Sequence, residues 1–190
     1  MIIGISGKTG TGKSHVAKFL KKKLKFQHID TQKVLYEVIQ EKETEDILLK
    51  TFGHKILHKN GSIDRNKLIK VTAQDKVRYK VFQETVNHLI RDWILEVIEE
   101  SDDNYIIESN SPKEQELEKL FDVSVLVVSP RRIAYTRLFK KFSPEIITNL
   151  WLFQKNTKNY DFIIENKTTI TSLKKDVDEL IAEMFKSQSK

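Results

Sequence analysis

The residues best equipped for chemistry stand at the start of the chain, where positions 1–14 read M-I-I-G-I-S-G-K-T-G-T-G-K-S. This stretch contains G-x-x-x-x-G-K-[ST] in full, with Gly7, Gly12, Lys13 and Ser14 at the fixed places and Lys8, Thr9, Gly10 and Thr11 between them. Gly7, Gly10 and Gly12 allow positive φ, so successive backbone N–H groups can turn inward around a phosphate without a Cβ in the way. Lys13 carries a compact charge on a flexible stem, suited to the outer two phosphates of ATP, and Ser14 offers a hydroxyl to Mg²⁺. A helix starting at Lys13 would aim its N-terminal dipole at the same phosphates, with His15 in its first turn beside the nucleotide.

The flanks agree with that chemistry. Ile2, Ile3 and Ile5 form a β-branched run that reads as a buried parallel strand. Val16, Ala17, Phe19, Leu20 and Leu24 then fall at helical spacing with lysines opposite. Strand, glycine loop and helix is the order the motif requires.

Further candidates lie where later strands end. Positions 26–29 read as a second strand that delivers Asp30 at its carboxyl end, where ligands of open α/β sheets sit; Asp30 is equally suited to cap the helix that begins at Thr31. A third strand, 105–107, ends at Glu108, an acid placed to hold Mg²⁺ or its waters. A helix is expected to follow from near Pro112, capped by Ser109, Asn110 or Ser111. Positions 123–128, V-S-V-L-V-V, are the clearest strand. They lead into a segment rich in Arg131, Arg132, Arg137, Lys140 and Lys141, which could close over a triphosphate or remain a solvated face. A fifth strand is expected at 162–164, and Leu173, Val177, Leu180, Ile181 and Met184 mark a closing amphipathic helix.

Between strands two and three, 34–98 is mostly helical in pattern, with a turn at Asn60-Gly61, a helix start at Asp64 and a long helix over 75–98. That is too long for a simple crossover and predicts an inserted helical subdomain. The expected architecture is a three-layer α/β P-loop NTPase fold: one domain over 1–190 with a five-stranded parallel sheet, a helical substrate-binding insertion at 31–98 and a short lid at 129–158.

Composition narrows the chemistry. The 190 residues suffice for one such domain. Net charge is +6, from 33 basic against 27 acidic residues, with a pI near 9.3, so anionic ligands are favoured. No cysteine is present, which removes disulfides, thiolate metal sites and cysteine nucleophiles. His54 and His58 are four apart, but Gly53 and the turn signals break the helix a zinc pair would need. No apolar run approaches a membrane span, and no cleavable leader precedes the first strand, so a cytoplasmic monomer acting on a small molecule is expected. No basic motif interleaved with aromatics points to nucleic acid.

Beyond these motifs the chain resembles the dephospho-CoA kinase family. The resemblance rests on G-I-S-G-K-T-G-T-G-K-S (4–14), H-I-D (28–30), F-G-H-K-I-L (52–57), G-S-I-D-R-N-K-L (61–68), V-N-H-L-I-R (86–91), F-D-V-S-V-L-V-V (121–128), T-R-L (136–138), Gln154 and D-F-I-I-E-N (161–166). It implies ATP-dependent phosphorylation of the ribose 3′-hydroxyl of dephospho-CoA. It also implies Lys13, Asp30 and Arg137 as catalytic groups, Asn166 beside the adenine, and Asp30, Arg65, His88 and Arg91 on the acceptor. The chain departs from the family at Asp30-Thr31-Gln32, where D-A-D is usual and an amide fills the place of the expected general base. It departs also at Tyr36, at P-K-E-Q-E (112–116) and in the lid, where Lys140 or Lys141 stands for an arginine and 142–154 reads as short. Phosphoryl transfer asks mainly for positioning and charge neutralisation, so the reaction class survives these changes. Other readings left open are a nucleoside or nucleoside-monophosphate kinase and an ATP-binding protein without transfer activity.

Overall fold

In the computed structural model, which describes residues 1–154, 159–167 and 169–187, the β-branched runs become β1 (Ile2–Ser6), β2 (Gln27–Asp30), β3 (Tyr105–Ser109), β4 (Val123–Val128) and β5 (Phe162–Glu165). All pair in parallel in the order β2-β3-β1-β4-β5. Parallel strands covered on both faces must be apolar throughout, which is why Ile3, Ile5, Ile106, Ile107, Val125 and Val127 are all fully buried.

Helices α1 (Lys13–Leu24) and α8 (Ile170–Ser187) cover one face, where Val16, Leu20, Val177 and Met184 pack on Ile3, Ile5 and Val125. Helices α2 (Thr31–Val38), α3 (Lys42–Phe52), α4 (Arg65–Thr72) and α5 (Lys76–Glu99) cover the other, where Leu48, Leu68, Val86 and Ile90 share a core with Ile29, Tyr105 and Ile107. Asp30, Asp64 and Asp75 each cap the helix they precede by accepting from its first backbone N–H groups. The chain leaves β1 toward one face and β3 toward the other. These adjacent strands therefore frame a switch point, the place where such sheets bind ligands. A smaller core, Tyr79, Leu138, Phe142, Ile147 and Leu150, joins α6 (Arg131–Leu138) and α7 (Pro144–Phe153) to the start of α5.

The elements differ from expectation at two places. Strand β2 begins at Gln27 rather than 26 and includes Asp30. No α-helix follows Pro112: Leu117 N–H donates to Pro112 O across 2.8 Å, and Glu116 takes a left-handed φ of 54°. The buried Ser109 hydroxyl donates to Gln115 Oε1, and this side-chain bond competes with helical backbone pairing. A 3-10 turn at Leu117–Leu120 completes the segment. Within 142–154 the chain forms the ten-residue helix α7, with Ser143 as its N-cap and Pro144 at its first position. Four residues of the expected lid, 155–158, lie outside the described residues.

Gly4 shows how tightly the central strand is packed: a Cβ there would lie 2.0 Å from the Phe121 ring. Gly4→Ala is expected to lower stability by about 1–3 kcal/mol in urea unfolding, as overpacked cores do. Adding Phe121→Leu should restore part of that loss.

Candidate active site

The turn between β1 and α1 is held open by backbone that only glycine adopts easily. Gly7, Gly10 and Gly12 have φ of 145°, 87° and 100°. At Gly12 a Cβ would meet Asn166 Nδ2 at 2.1 Å, and at Gly7 it would meet the Val127 carbonyl at 2.3 Å. The loop is thus wedged between the ends of β4 and β5, and its glycines are required by proximity as well as by φ. Helix α1 begins directly after it, with no side-chain cap and no acid in its first turn. That leaves the positive end of the helix facing the loop, the arrangement that attracts phosphate.

Lys13 is buried, and its Nζ donates to the Lys8 carbonyl at 3.3 Å. Burial pushes its pKa down to about 8, against the opposing pull of Glu108 and Asp30. Ser14 Oγ donates to Glu108 Oε1 at 2.7 Å. The other oxygen, Glu108 Oε2, is buried without a hydrogen bond, 3.4 Å from His28 Nε2. Asp30 is the register partner of Glu108 across β2 and β3. The two carboxylates are driven apart in acidity. Burial and the Glu108 charge raise Asp30, outweighing the Gln32 N–H, His28 and Arg65. Burial also disfavours the Glu108 anion, yet His28, Lys13 and Ser14 together hold its pKa below the usual value. Separated carboxylates of this kind divide labour, one fit to take a proton and the other to stay charged.

Lys13, Ser14, Asp30, Glu108 and Arg65 open into one cleft of about 350 Å³. Its floor is the phosphate loop and its far wall is the apolar face of α5, including Tyr79, Phe82 and Val86. Arg65 donates through Nη2 to Gln32 Oε1, while its buried Nε has no hydrogen bond. Of the two lid lysines that sequence left as alternatives, Lys141 lines this cleft. Lys140 does not, and lines instead an adjoining groove with Lys70 and Phe139, which Lys141 and Phe142 also border.

A second groove, of about 380 Å³, lies on the other side of the loop between Gly12, His15, Arg137 and Asn166. Asn166 Nδ2 donates to Thr11 O at 2.8 Å. Arg137 Nη1 donates to Gly10 O at 3.0 Å and Thr11 O at 3.3 Å. Arg137 therefore sits against the loop carbonyls, at the mouth that a nucleotide would occupy. Neither Lys8 nor Thr9 lines this second groove: Lys8 Nζ donates to Trp151 O, and Thr9, which lines the main cleft, is bonded to Gln154 and Trp151. His88 and Arg91 lie outside the main cleft, in an adjoining groove of about 320 Å³ that shares Gln83, Asn87 and Gln115 with it. Arg91 is paired there with Glu116 and Asp92.

Sequence reasoning missed the parts of this site made by α7, namely Trp151 and its bonds to the loop, and the cleft wall at Tyr79 and Ser111. A lone tryptophan or tyrosine in an amphipathic helix reads as core, and no spacing signal separates it from one that touches a loop 140 positions away.

Similarity to known proteins agrees with the geometry. The family model for dephospho-CoA kinase matches residues 1–172. The dephospho-CoA kinase of Fusobacterium nucleatum is 28% identical over 186 residues, covering 94% of this chain and 95% of that protein. Among solved structures, a Thermus thermophilus protein, TT1252, superposes with a TM-score of 0.71 at 22% identity over 96% of this chain and 97% of its own. The dephospho-CoA kinase of Campylobacter jejuni superposes with a TM-score of 0.64 at 21% identity over 98% of each chain. These two likenesses establish the fold, a five-stranded P-loop kinase sheet with flanking helices.

The lowered pKa of Lys13 has a measurable consequence. Phosphates favour its charged form, so ATP binding above about pH 8 must take up a proton, and affinity must fall as pH rises through that value. Calorimetry at pH 8.5 in buffers of different ionisation enthalpy is expected to show this uptake, and Lys13→Ala to remove it. A glycine turn with this lysine behind it, a paired set of carboxylates at the switch point and a family match along most of its length lead to one conclusion: the chain belongs to the dephospho-CoA kinase family, the ATP-dependent phosphotransferases.

Proposed function

We propose that this chain transfers the γ-phosphoryl group of ATP to the ribose 3′-hydroxyl of dephospho-CoA, giving coenzyme A and ADP. The observation that carries the reading is the single cleft in which the phosphate loop and Lys13 face Asp30 and Arg65 across the wall of the helical insertion. Donor and acceptor subsites meet there without an intervening element.

In this reading the loop amides, the start of α1 and Lys13 bind the β and γ phosphates, and the adenine lies toward Asn166 and His15. Arg137 turns from the loop carbonyls to the phosphates as charge develops on the transferred group. Asp30 orients the acceptor hydroxyl and takes its proton; its raised pKa suits a base better than the depressed one of Glu108. Gln32 has no basic group and instead accepts from Arg65, which keeps that guanidinium over the acceptor. His88 and Arg91, in the adjoining groove, would hold the part of the acceptor that leaves the cleft.

The oxygen donors Ser14 and Glu108 fit Mg²⁺, a hard cation that keeps part of its shell for waters and substrate phosphates, and the orphaned Glu108 Oε2 gives it a ready ligand. When bound, Mg²⁺ would supply charge neutralisation on the phosphate oxygens. The insertion at 31–98 would act as the acceptor subdomain and 129–158 as the lid. No helix among the described residues is long and apolar enough to cross a membrane, and we place the reaction in the cytoplasm, carried out by a monomer.

The test is turnover with a panel of acceptors. Dephospho-CoA is expected to support phosphate transfer, with nucleosides and nucleoside monophosphates at least about 100-fold poorer in kcat/KM, since a site built for one acceptor's polar groups rejects others. Turnover with a nucleotide and none with dephospho-CoA would refute the assignment, and ATP binding with no acceptor at all would favour a non-catalytic role. Asp30→Asn is expected to lower kcat about 100-fold while leaving ATP affinity within a few-fold. Because Asp30 is protonated at higher pH than an ordinary aspartate, activity should fall on the acid side earlier than such a group would allow. Gln32→Asp should retain or raise the rate.

A further inference from the structure

One loop residue, Thr9, is held chiefly from the end of another helix. Thr9 N–H donates to Gln154 Oε1 at 2.8 Å, Thr9 O accepts from Trp151 Nε1 at 3.0 Å, and Thr9 Oγ1 meets Gln154 Nε2 at 2.8 Å and Asn110 Nδ2 at 3.3 Å. The neighbouring Lys8 donates to Trp151 O at 2.6 Å and lies over the Trp151 ring, 5.4 Å from its centroid. Backbone groups of a phosphate loop that bond to side chains at a distance in sequence have their position dictated from outside the loop. Here the outside agent is the end of α7.

The same helix is tied to the acceptor side. Asn149 Nδ2 donates to Ala73 O at 3.0 Å and Gln74 O at 3.3 Å, in the turn between α4 and α5. Those two helices carry Arg65 and the apolar wall of the cleft. Gln154 is itself buried, and Phe153 beside it packs on Tyr79 of α5 with ring centroids 5.3 Å apart. Helix α7 is short, capped at Ser143 and started by Pro144, and it is packed through Ile147 and Leu150. Asn149 and Trp151 lie within one turn of it, so the same short stretch of α7 joins the α4–α5 turn to Thr9.

We propose that α7 is a strut between the two halves of the site, with Gln154 and Trp151 as positioning residues for phosphoryl transfer that act through Thr9, and Asn149 as the anchor on the acceptor side. The inference rests on the kinase reading above. It adds that acceptor binding, by setting the α4–α5 turn, sets the first turn of the phosphate loop. Misplacement of reacting groups by about 1 Å costs on the order of 100-fold in rate, so a strut of this kind bears on kcat rather than on ATP affinity.

A double-mutant cycle tests it. Gln154→Ala and Asn149→Ala are each expected to lower kcat, by about 10-fold or more, with the Kd for ATP changed less than about 3-fold. The double variant should be no worse than the poorer single, because both cut one connection. Additive losses, or singles with wild-type kcat, would overturn the strut. If Gln154→Ala does not fold, fluorescence decides. In a Trp93→Phe background, where Trp151 is the sole tryptophan, dephospho-CoA should shift its emission, and Asn149→Ala should abolish that shift while an ATP-induced shift persists. Loss of neither shift would also overturn the proposal. Failure of the kinase reading shows up separately, as absence of turnover with dephospho-CoA in the wild-type chain.

Discussion

The constraint on which the structure depends is the fit of a six-residue glycine turn into the crevice at the end of the sheet. Gly7 and Gly12 leave no room for a Cβ against Val127 and Asn166, and the loop carbonyls are taken up by Arg137, Asn166, Trp151 and Lys13. With its carbonyls engaged elsewhere, and the N–H groups of Thr9 and Thr11 bonded to Gln154 and Lys8, the loop offers its remaining N–H groups and the start of α1 to an anion. The parallel order of the strands brings β4 and β5 to its back wall and Glu108 on β3 beside it, while α6 and α7 bring Arg137, Trp151 and Gln154. Reversing or shifting any one strand would separate these groups.

Electrostatics then follow from position. A buried lysine is costly unless charge stands near it, and Glu108 and Asp30 provide that charge without bonding Lys13 directly. Lys13 therefore loses its proton more readily than an ordinary lysine, and an incoming triphosphate, which favours the charged form, holds that proton on it. The same two acids repel one another across adjacent strands, and their different partners decide which yields: Glu108 has His28 and Ser14, whereas Asp30 has chiefly the Gln32 N–H. The difference in acidity between the two carboxylates is thus a consequence of which side chains neighbour each acid. It does not depend on a second aspartate at position 32.

Much of this was legible beforehand because its signals are local. The glycine pattern, the isoleucine runs and the caps at Asp30 and Asp64 each state a backbone conformation in a few residues, and the strands and helices around them formed as read. What escaped was set by contacts between distant segments. The turn after Pro112 follows a side-chain bond between Ser109 and Gln115 that competes with helix formation. Helix α7 is apolar enough to be core, yet its function as a neighbour of the loop depends on Trp151 and Gln154 reaching Thr9, a relation that no periodicity encodes. The placement of His88 and Arg91 beside the cleft rather than within it likewise depends on which face of a 24-residue helix meets the sheet.

The central claim is that the amino-terminal turn binds the triphosphate of ATP through Lys13. Calorimetric titration of the wild-type and Lys13→Ala chains with ATP in the presence of Mg²⁺ tests it most directly. The account predicts binding of one nucleotide per wild-type chain and at least about 100-fold weaker binding in the variant, the loss expected when a charge-assisted contact is removed. Equal affinity in the two chains would contradict it.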